Sequence, residues 1–464
     1  MNEWKTQKIK ESLYPNSVAV LGVSDAPANL GKLVVDVLGL EGFPGKIFPV
    51  HPRLNELLGH KVYSSIEDIE EPVDLVICGL NAKITSEVII ESCAKKGVKG
   101  IVCLGGGFKE VGEDGAKYEQ RLKEVADRNE IIIFGPNILG VINNEHRLYA
   151  TFWSFKKGNP AGPVTLVSQS GGTACIMFNT LIDKEIGVNK WICLGNRTNL
   201  EFADILYYLE QDEGTKVIAL FVEGTDDARS LVEAAKQVGT KKPVVLLKGA
   251  RTKTMNQVAH SHTGTLAGEY GIFSDACRQN GILEVTSSED MANVCKALAL
   301  VPSVSGDKVA VLTHTAGPSI LAMDALIQYN CPVAQVSDDT LKKLRGIIGE
   351  KIPVILSPNP VDITGSCVFV EPYSKSVEAV LQDDGVDILI AVYAIHREIE
   401  TSAKALVEIK KRTNKILIVC ILSSMEEMIE DERILREAGI PVYQLPEDAA
   451  LAASYIIKYS RRKV

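Results

Sequence analysis

No C-x-x-C pair occurs among the chain's ten cysteines, Cys78, Cys93, Cys103, Cys175, Cys193, Cys277, Cys295, Cys331, Cys367 and Cys420. Disulfide frameworks and metal sites need clustered spacing, and most of these residues stand inside apolar runs. They are expected to be buried free thiols in a reducing cytoplasm, with no metal site. The N-terminal MNEWKTQKIKESLYPNS lacks the apolar centre of a signal peptide. No apolar stretch approaches the ~20 residues that span a bilayer. A basic surplus is absent too: 50 Lys and Arg face 59 Asp and Glu, a formal charge of -9. That balance excludes a general nucleic-acid binder, whose affinity needs excess Lys and Arg. There is no short-period repeat, which excludes a solenoid. A Walker loop is also missing, since the nearest approach, Leu40 to Ile47, lacks the first glycine and the hydroxyl residue after Lys46. A soluble, cytoplasmic protein with neither membrane nor nucleic-acid partner is expected.

What is present is a rhythm. Short Val- and Ile-rich runs alternate with segments of helical period, which signals βαβ units and parallel sheets. The first third offers SVAVLGV, KIFPV, VDLVICGL, GIVCLGG and IIIFG as strands, with a helical stretch closing on Gly97. After the turn-rich FKKGNPAGP a second series runs from PVTLVSQSG to ILEVTS, and a third follows VPSVSGDK. At ~150 residues per domain, 464 residues suggest about three. The expected fold is α/β, three doubly wound domains over residues 1–156, 157–302 and 303–464.

Strand SVAVLG runs into Gly22-Val23-Ser24 ahead of a helix from about Leu30. Such a strand–glycine turn–helix unit aims backbone N–H groups and a helix dipole at phosphate. It is not the dinucleotide fingerprint, because the next glycine is Gly31. An NAD site wants an acid at the end of the second strand; this chain has Val50-His51-Pro52-Arg53. A basic end suits a ribose phosphate, as in NADP or CoA, or is simply a polar turn.

In the second domain, His260 and His262 fall in HSHTG, just ahead of an expected helix start at about Thr265. A phosphate on His262 would meet the orphan N–H groups of that helix, and imidazole is nucleophilic near neutral pH. Strand PVTLVSQSGG ends at Ser168-Gln169-Ser170-Gly171-Gly172, a second glycine-and-hydroxyl helix start. Glu223 closes strand VIALFVEG at the same sheet edge, where a carboxylate can orient an imidazole. Taken singly, each also reads as a cap, an ordinary helix start or a solvated strand end.

In combination the motifs resemble those of a known family. VAVLGVS (18–24), GFKEVGEDG (107–115), GPNILG (135–140), SQSGG (168–172), CLGNRTNLEFADIL (193–206), SHTGTLAG (261–268) and NPVDITG (359–365) occur in order along the whole chain. The chain resembles the α subunit of archaeal-type ADP-forming acetyl-CoA synthetases, relatives of succinyl-CoA synthetase. The resemblance implies a Rossmann-like CoA-binding domain followed by two flavodoxin-like ligase domains. It implies that ATP phosphorylates a histidine, that the phosphate passes to a small carboxylic acid, and that CoA thiol then displaces phosphate from the acyl phosphate. By the motif matches, His262 carries the phosphate and Glu223 orients it. Ser170, Gly171, Gly172, Thr263 and Gly264 cradle the phosphate. Gly22, Ser24, Val50, His51, Pro52, Arg53, Leu80, Asn81 and Ala82 surround CoA, and Gly135, Pro136 and Asn137 lie near the thiol and acyl group.

Some positions depart from the family pattern. His51 replaces an asparagine, Lys253, Met255, Asn256 and Gln257 replace an Ala- and Gly-rich run, and Ala316-Gly317-Pro318-Ser319 replaces GGPG. These bear on acyl specificity and on movement of the His262 loop, with Gly249 and Gly264 as candidate hinges. The family's ATP site lies in an ATP-grasp unit of ~200 residues, about one further domain. A separate ATP-grasp β subunit holding ATP or ADP with Mg, in an α2β2 heterotetramer, is therefore expected. The competing readings are an NADP-dependent oxidoreductase and a non-catalytic CoA-binding regulatory protein. A protein acetyltransferase would need a domain for which the chain has no room.

Overall fold

Strand Ser17–Leu21 is buried along its whole length, as an apolar strand must be when both faces of its sheet are covered. It pairs in parallel with Lys46–Val50 on one side and Leu75–Cys78 on the other, and Gly100–Cys103 and Ile132–Phe134 follow. Numbered along the chain, these five strands lie in the order 2-1-3-4-5. The order reverses between the first and third strands, so the crevice of this sheet opens beyond Leu21 and Cys78, at Gly22 and Gly79. The computed structural model describes residues 3–155, 158, 160–255, 269–301, 303–350, 352, 356–364, 369–395 and 402–462.

The central sheet has seven strands. Its parallel part repeats the 2-1-3-4-5 order with Val164–Ser168, Val188–Cys193, Val217–Val222, Val244–Lys248 and Leu283–Val285. Gly140–Asn143 and Leu148–Thr151 extend it as an antiparallel hairpin on the edge of Val188–Cys193. This hairpin precedes the turn-rich segment at which the sequence placed the first boundary, yet its ladder belongs to the second sheet. The apolar run shows that Gly140–Asn143 is buried, whereas the choice of partner strand is made by tertiary packing.

The chain forms two compact units, residues 1–292 and 293–464. The second contains a parallel sheet of Val309–Thr313, Val361–Asp362, Ile388–Ala394, Ile416–Leu422 and Val442–Tyr443, again ordered 2-1-3-4-5. Helix signals in the sequence act where expected. The helix Ile90–Lys96 stops at Gly97, whose φ of 73° is the left-handed conformation glycine accepts without strain. Nine cysteines are described, all free; eight are buried and Cys175 is half-buried. Among the described residues no helix is long and apolar enough to cross a membrane.

Within the first unit, helix Glu3–Leu13 ties the two sheets together. Ser12 packs over Gly100 of the N-terminal sheet, where a Cβ would lie 2.2 Å from its Oγ. From the central sheet, Asn143 donates to Leu13 O at 2.8 Å and Lys5 pairs with Asp204 at 2.9 Å. Beside this seam the Lys190 side chain is fully buried, donating to both oxygens of Asp212 at 2.9 Å, to Asn189 Oδ1 at 2.5 Å and to Glu145 at 3.3 Å. A buried cation that loses its carboxylate keeps its desolvation cost without the compensating attraction. Asp212→Ala should therefore lower the unfolding free energy by about 3 kcal/mol, read from urea midpoints. The double variant Lys190→Met/Asp212→Ala should recover part of that loss, because the stranded charge is gone.

Candidate active site

At the N-terminal sheet edge, Gly22 has a φ of +85°, and a Cβ there would lie 2.9 Å from Leu80 Cδ2. Gly31, in the following helix, is equally tight: its Cβ would sit 2.9 Å from Val23 N and Cα. These two absent side chains let a strand end and a helix start approach closely, leaving a backbone-lined cradle that suits a diphosphate. Asn29 fixes the loop. Its Oδ1 accepts the N–H groups of Ser24 at 3.0 Å and Lys32 at 2.8 Å, and its Nδ2 donates to Gly22 O at 3.0 Å. The sequence reading passed over Asn29, although a side chain of the N-cap type just ahead of an apolar helix was the available signal.

Val50 is buried and aligned with Leu21 in the adjacent strand, so His51, Pro52 and Arg53 emerge beside Gly22. His51 Nδ1 accepts the N–H groups of Arg53 and Leu54, both at 3.2 Å, which makes the histidine the organiser of its own turn. Pro52 and Arg53 are exposed. Across the reversal point, Leu80 covers Gly22, Asn81 caps the next helix by accepting Ile84 N–H at 3.0 Å, and Ala82 is buried. A π-helical turn, Thr85–Ile89, follows at once; such turns gather at functional sites. The structure thus brings the nine residues expected around CoA to one sheet edge.

The Gly135-Pro136-Asn137 turn joins this edge to the central sheet. Asn137 N–H reaches Gly105 O at 3.0 Å on its own sheet. Pro136 O accepts Asn196 N–H at 3.1 Å and Gly135 O accepts Thr198 N–H at 3.2 Å from the loop after Val188–Cys193. Gly195 approaches so closely that a Cβ would stand 2.1 Å from Pro136 O. Asn196 also donates to Glu110 at 2.6 Å and Glu119 at 2.9 Å, while Lys109 Nζ donates to Asn196 O at 2.6 Å. Burial opposes the charge on Glu110, but the Asn196 amide and the N–H groups of Gly107 and Phe108 prevail and hold its carboxyl below the ordinary value. The GFKEVGEDG and CLGNRTNL motifs are therefore two halves of one hydrogen-bonded junction, a pairing the sequence reading did not make.

At the central sheet's reversal point, Ser170 caps helix Gly171–Asp183, accepting Thr173 N–H at 3.4 Å, and Ser168 Oγ donates to Ser170 O at 2.7 Å. A Cβ at Gly171 would lie 2.6 Å from Leu139 Cγ, so the helix start rests directly on the GPNILG segment. At Gly172 a Cβ would meet nothing within 4 Å, which leaves the first-turn N–H groups approachable by an anion. Glu223 directly follows the neighbouring strand Val217–Val222, half-buried, and its N–H and that of Gly224 both donate to Gln169 Oε1, at 2.9 and 3.1 Å. His260, His262, Thr263 and Gly264 lie outside the described residues. Ser170–Gly172 and Glu223 are brought to one crevice, with the Gly135–Asn137 turn beside it. Among the described residues, no group of three or more His, Cys, Asp or Glu side chains could hold a metal ion. Gly22→Ala should weaken CoA at least tenfold in a calorimetric titration, with Glu223→Gln, on the other sheet, leaving that affinity unchanged.

Residues 16–144 match a CoA binding domain, and residues 161–298 match a succinyl-CoA ligase like flavodoxin domain. The α subunit of ADP-forming acetate–CoA ligase II from Pyrococcus furiosus is 34% identical over 453 residues, covering 96% of this chain and 97% of that one. ADP-forming acetate–CoA ligase I from Archaeoglobus fulgidus is 34% identical over 448 residues, covering 97% of this chain but only 63% of that one. Among solved structures, acetyl-coenzyme A synthetase 1 of Ca. Korarchaeum cryptofilum, in complex with phosphate and ADP, superposes with a TM-score of 0.88 at 29% identity over 98% of this chain and 97% of that one. By sequence and by fold, over nearly its whole length, this chain belongs to the ADP-forming acetate–CoA ligase family, as a counterpart of that family's α subunits.

Proposed function

We propose that this chain is the half of an ADP-forming acid–thiol ligase that holds CoA and carries the phosphoryl group. It interconverts acetyl-CoA or another acyl-CoA, ADP and phosphate with free acid, CoA and ATP. The observation that carries this reading is the junction at Gly135–Asn137. It sets a diphosphate-type cradle on one sheet beside an anion-accepting helix start on the next, as a reaction joining a CoA thiol to an acyl phosphate requires. The competing readings, an NADP-dependent oxidoreductase and a non-catalytic CoA-binding regulatory protein, find no support among the relatives.

Each residue then has a task. Gly22, Ser24 and His51–Arg53 hold the phosphates and ribose of CoA, and Leu80, Asn81 and Ala82 border its nucleotide and arm. The fit rests on the glycine turn at Gly22, where a Cβ would press on Leu80 Cδ2 at 2.9 Å and spread the loop. CoA supplies a thiol at the Gly135–Asn137 turn. His262 takes the phosphoryl group of ATP on an imidazole nitrogen as ADP departs, and passes it to a carboxylate oxygen of the acid. Glu223 orients the imidazole and stabilises its cationic form. Ser170, Gly171 and Gly172, with Thr263 and Gly264, hold the phosphoryl oxygens by hydrogen bonds that strengthen as charge develops. Thiol attack on the acyl carbon then forms the thioester and releases phosphate.

Nucleotide and Mg belong, in this reading, to an ATP-grasp β subunit in an α2β2 assembly in the cytoplasm. The relatives support a partner: some are named as α subunits, and the Archaeoglobus ligase extends well beyond the matched region. The three domains are assigned to residues 1–156 for CoA, 157–302 for the phosphohistidine loop and 303–464 for a second ligase domain.

Two measurements test the reading. Incubation with the partner subunit and γ-labelled ATP should give an acid-labile, base-stable label that His262→Ala abolishes. A label that survives in His262→Ala would move the site to another residue, His260 first. Arg53→Ala should raise the KM for CoA about tenfold with little change in kcat, as loss of a ground-state phosphate contact does. An unchanged KM would remove Arg53 from the CoA site.

A further inference from the structure

We propose that Lys248 is a positioning residue for phosphoryl transfer, acting through Glu223 and through the stem of the segment that carries His262; this rests on the roles given to those two residues above. Lys248 ends its strand directly beside Val222 and is only 5% exposed. Its Nζ donates to two backbone carbonyls, Glu223 O and Gly249 O, each at 2.5 Å. On the opposite side of the same peptide, Gln169, 3% exposed, takes the N–H groups of Glu223 and Gly224. The backbone of Glu223 is thus gripped at its N–H and at its carbonyl by two buried side chains from different strand ends. A solvated strand end needs neither.

Gly249 is the second arm of the clamp. Its N–H donates to Val222 O at 2.9 Å, and a Cβ there would lie 3.1 Å from Phe221 Cζ and 3.5 Å from Glu223 Cγ. The first residue of the connection towards His262 therefore packs against the Glu223 side chain itself. By bonding both carbonyls, Lys248 ties the proposed orienting carboxylate to the root of the loop that it serves.

Stability alone does not favour a lysine at this place. Burial disfavours the ammonium, and an apolar side chain of similar length would fill the space without that cost. The groups facing it are Glu223, Glu284, Arg251 and Cys277, with the Phe273 ring centroid 5.8 Å away. Burial pushes the ammonium down to about 8, against the attraction of Glu223 and Glu284. Glu284 is itself engaged by Ser274 Oγ at 2.5 Å. Lys248 also lines a cavity of about 720 Å³ with Gly224, Thr225 and Phe273, which gives its proton a route to solvent. Charge-assisted hydrogen bonds are roughly twice as strong as neutral ones, so the clamp weakens as pH rises through that range.

The test uses the full chain with its partner subunit and γ-labelled ATP. Lys248→Met should slow labelling at least tenfold while the KM for CoA, bound on the other sheet, stays within twofold. Wild-type labelling should decline above pH 8, and this alkaline limb should be missing from the variant. Combined with Glu223→Gln, the loss should fall well short of the product of the two single losses, because Lys248 acts in part through Glu223. Labelling of Lys248→Met at the wild-type rate with an unchanged pH profile, or losses that multiply in the double variant, would overturn the role of Lys248 alone. An unlabelled wild-type chain would overturn the phosphohistidine reading beneath it. If Lys248→Met does not fold, Lys248→Gln, which keeps a donor without the charge, should still lose the alkaline limb; a retained limb counts against the proposal.

Discussion

The carbonyl oxygens of Gly135 and Pro136 accept the N–H groups of Thr198 and Asn196 across the seam between two sheets. Everything attributed to the site depends on that exchange. Backbone-to-backbone bonds leave no rotamer to adjust, so the spacing of the two crevices is set by peptide geometry. The approach is possible because Gly195 and Gly171 lack side chains where a Cβ would collide with Pro136 O and Leu139. The polar side chains around it follow from the same constraint. Glu110, Glu119 and Asn196 are drawn out of water by the packed seam and must satisfy one another, since a half-paired buried network costs more than an apolar one.

The same strand order, 2-1-3-4-5, recurs in all three main sheets, and two of them share one device at the reversal point. In the central sheet Ser168 Oγ donates to Ser170 O at 2.7 Å before a helix begins; in the second unit Thr313 Oγ1 donates to Thr315 O at 2.7 Å before helix Ala316–Gln328. A hydroxyl at a strand end closes a tight turn onto a helix without consuming the first-turn N–H groups. In the central sheet, among the described residues, only Thr173 N–H is taken, by Ser170 Oγ; free donors in such first turns suit this topology to phosphate chemistry. The N-terminal sheet reaches a similar end with Asn29, whose amide replaces two hydroxyls.

Much of this was readable in one dimension. Runs such as SVAVL and VIALFV are buried at every position, so their burial needed no partner to be inferred. Glycines at Gly22 and Gly97 mark places where φ is positive. The reversal-point loops were recognisable because helix starts and strand ends are local events, written in neighbouring residues. The hairpin Gly140–Thr151 precedes the turn-rich segment, yet its hydrogen bonds lie with a strand that begins at Val188, a pairing that no local pattern announces. Composition marks a linker, but pairing decides which sheet a strand joins.

Sequence alone therefore determined the α/β class and the position of the reversal-point loops whose residues are proposed for phosphate and CoA. Each of these follows from contacts within a few positions of the chain. Only the tertiary structure decided which loops meet. Gln169 reaches Glu223 across 54 positions, and Asn196 reaches Glu110 across 86. Lys248 gave no sign in PVVLLKG that its charge would be buried beneath Glu223. Whether a buried polar side chain grips another residue or merely ends a strand depends on what the fold places opposite it. That is a property of chain geometry at long range, to which local periodicity is blind.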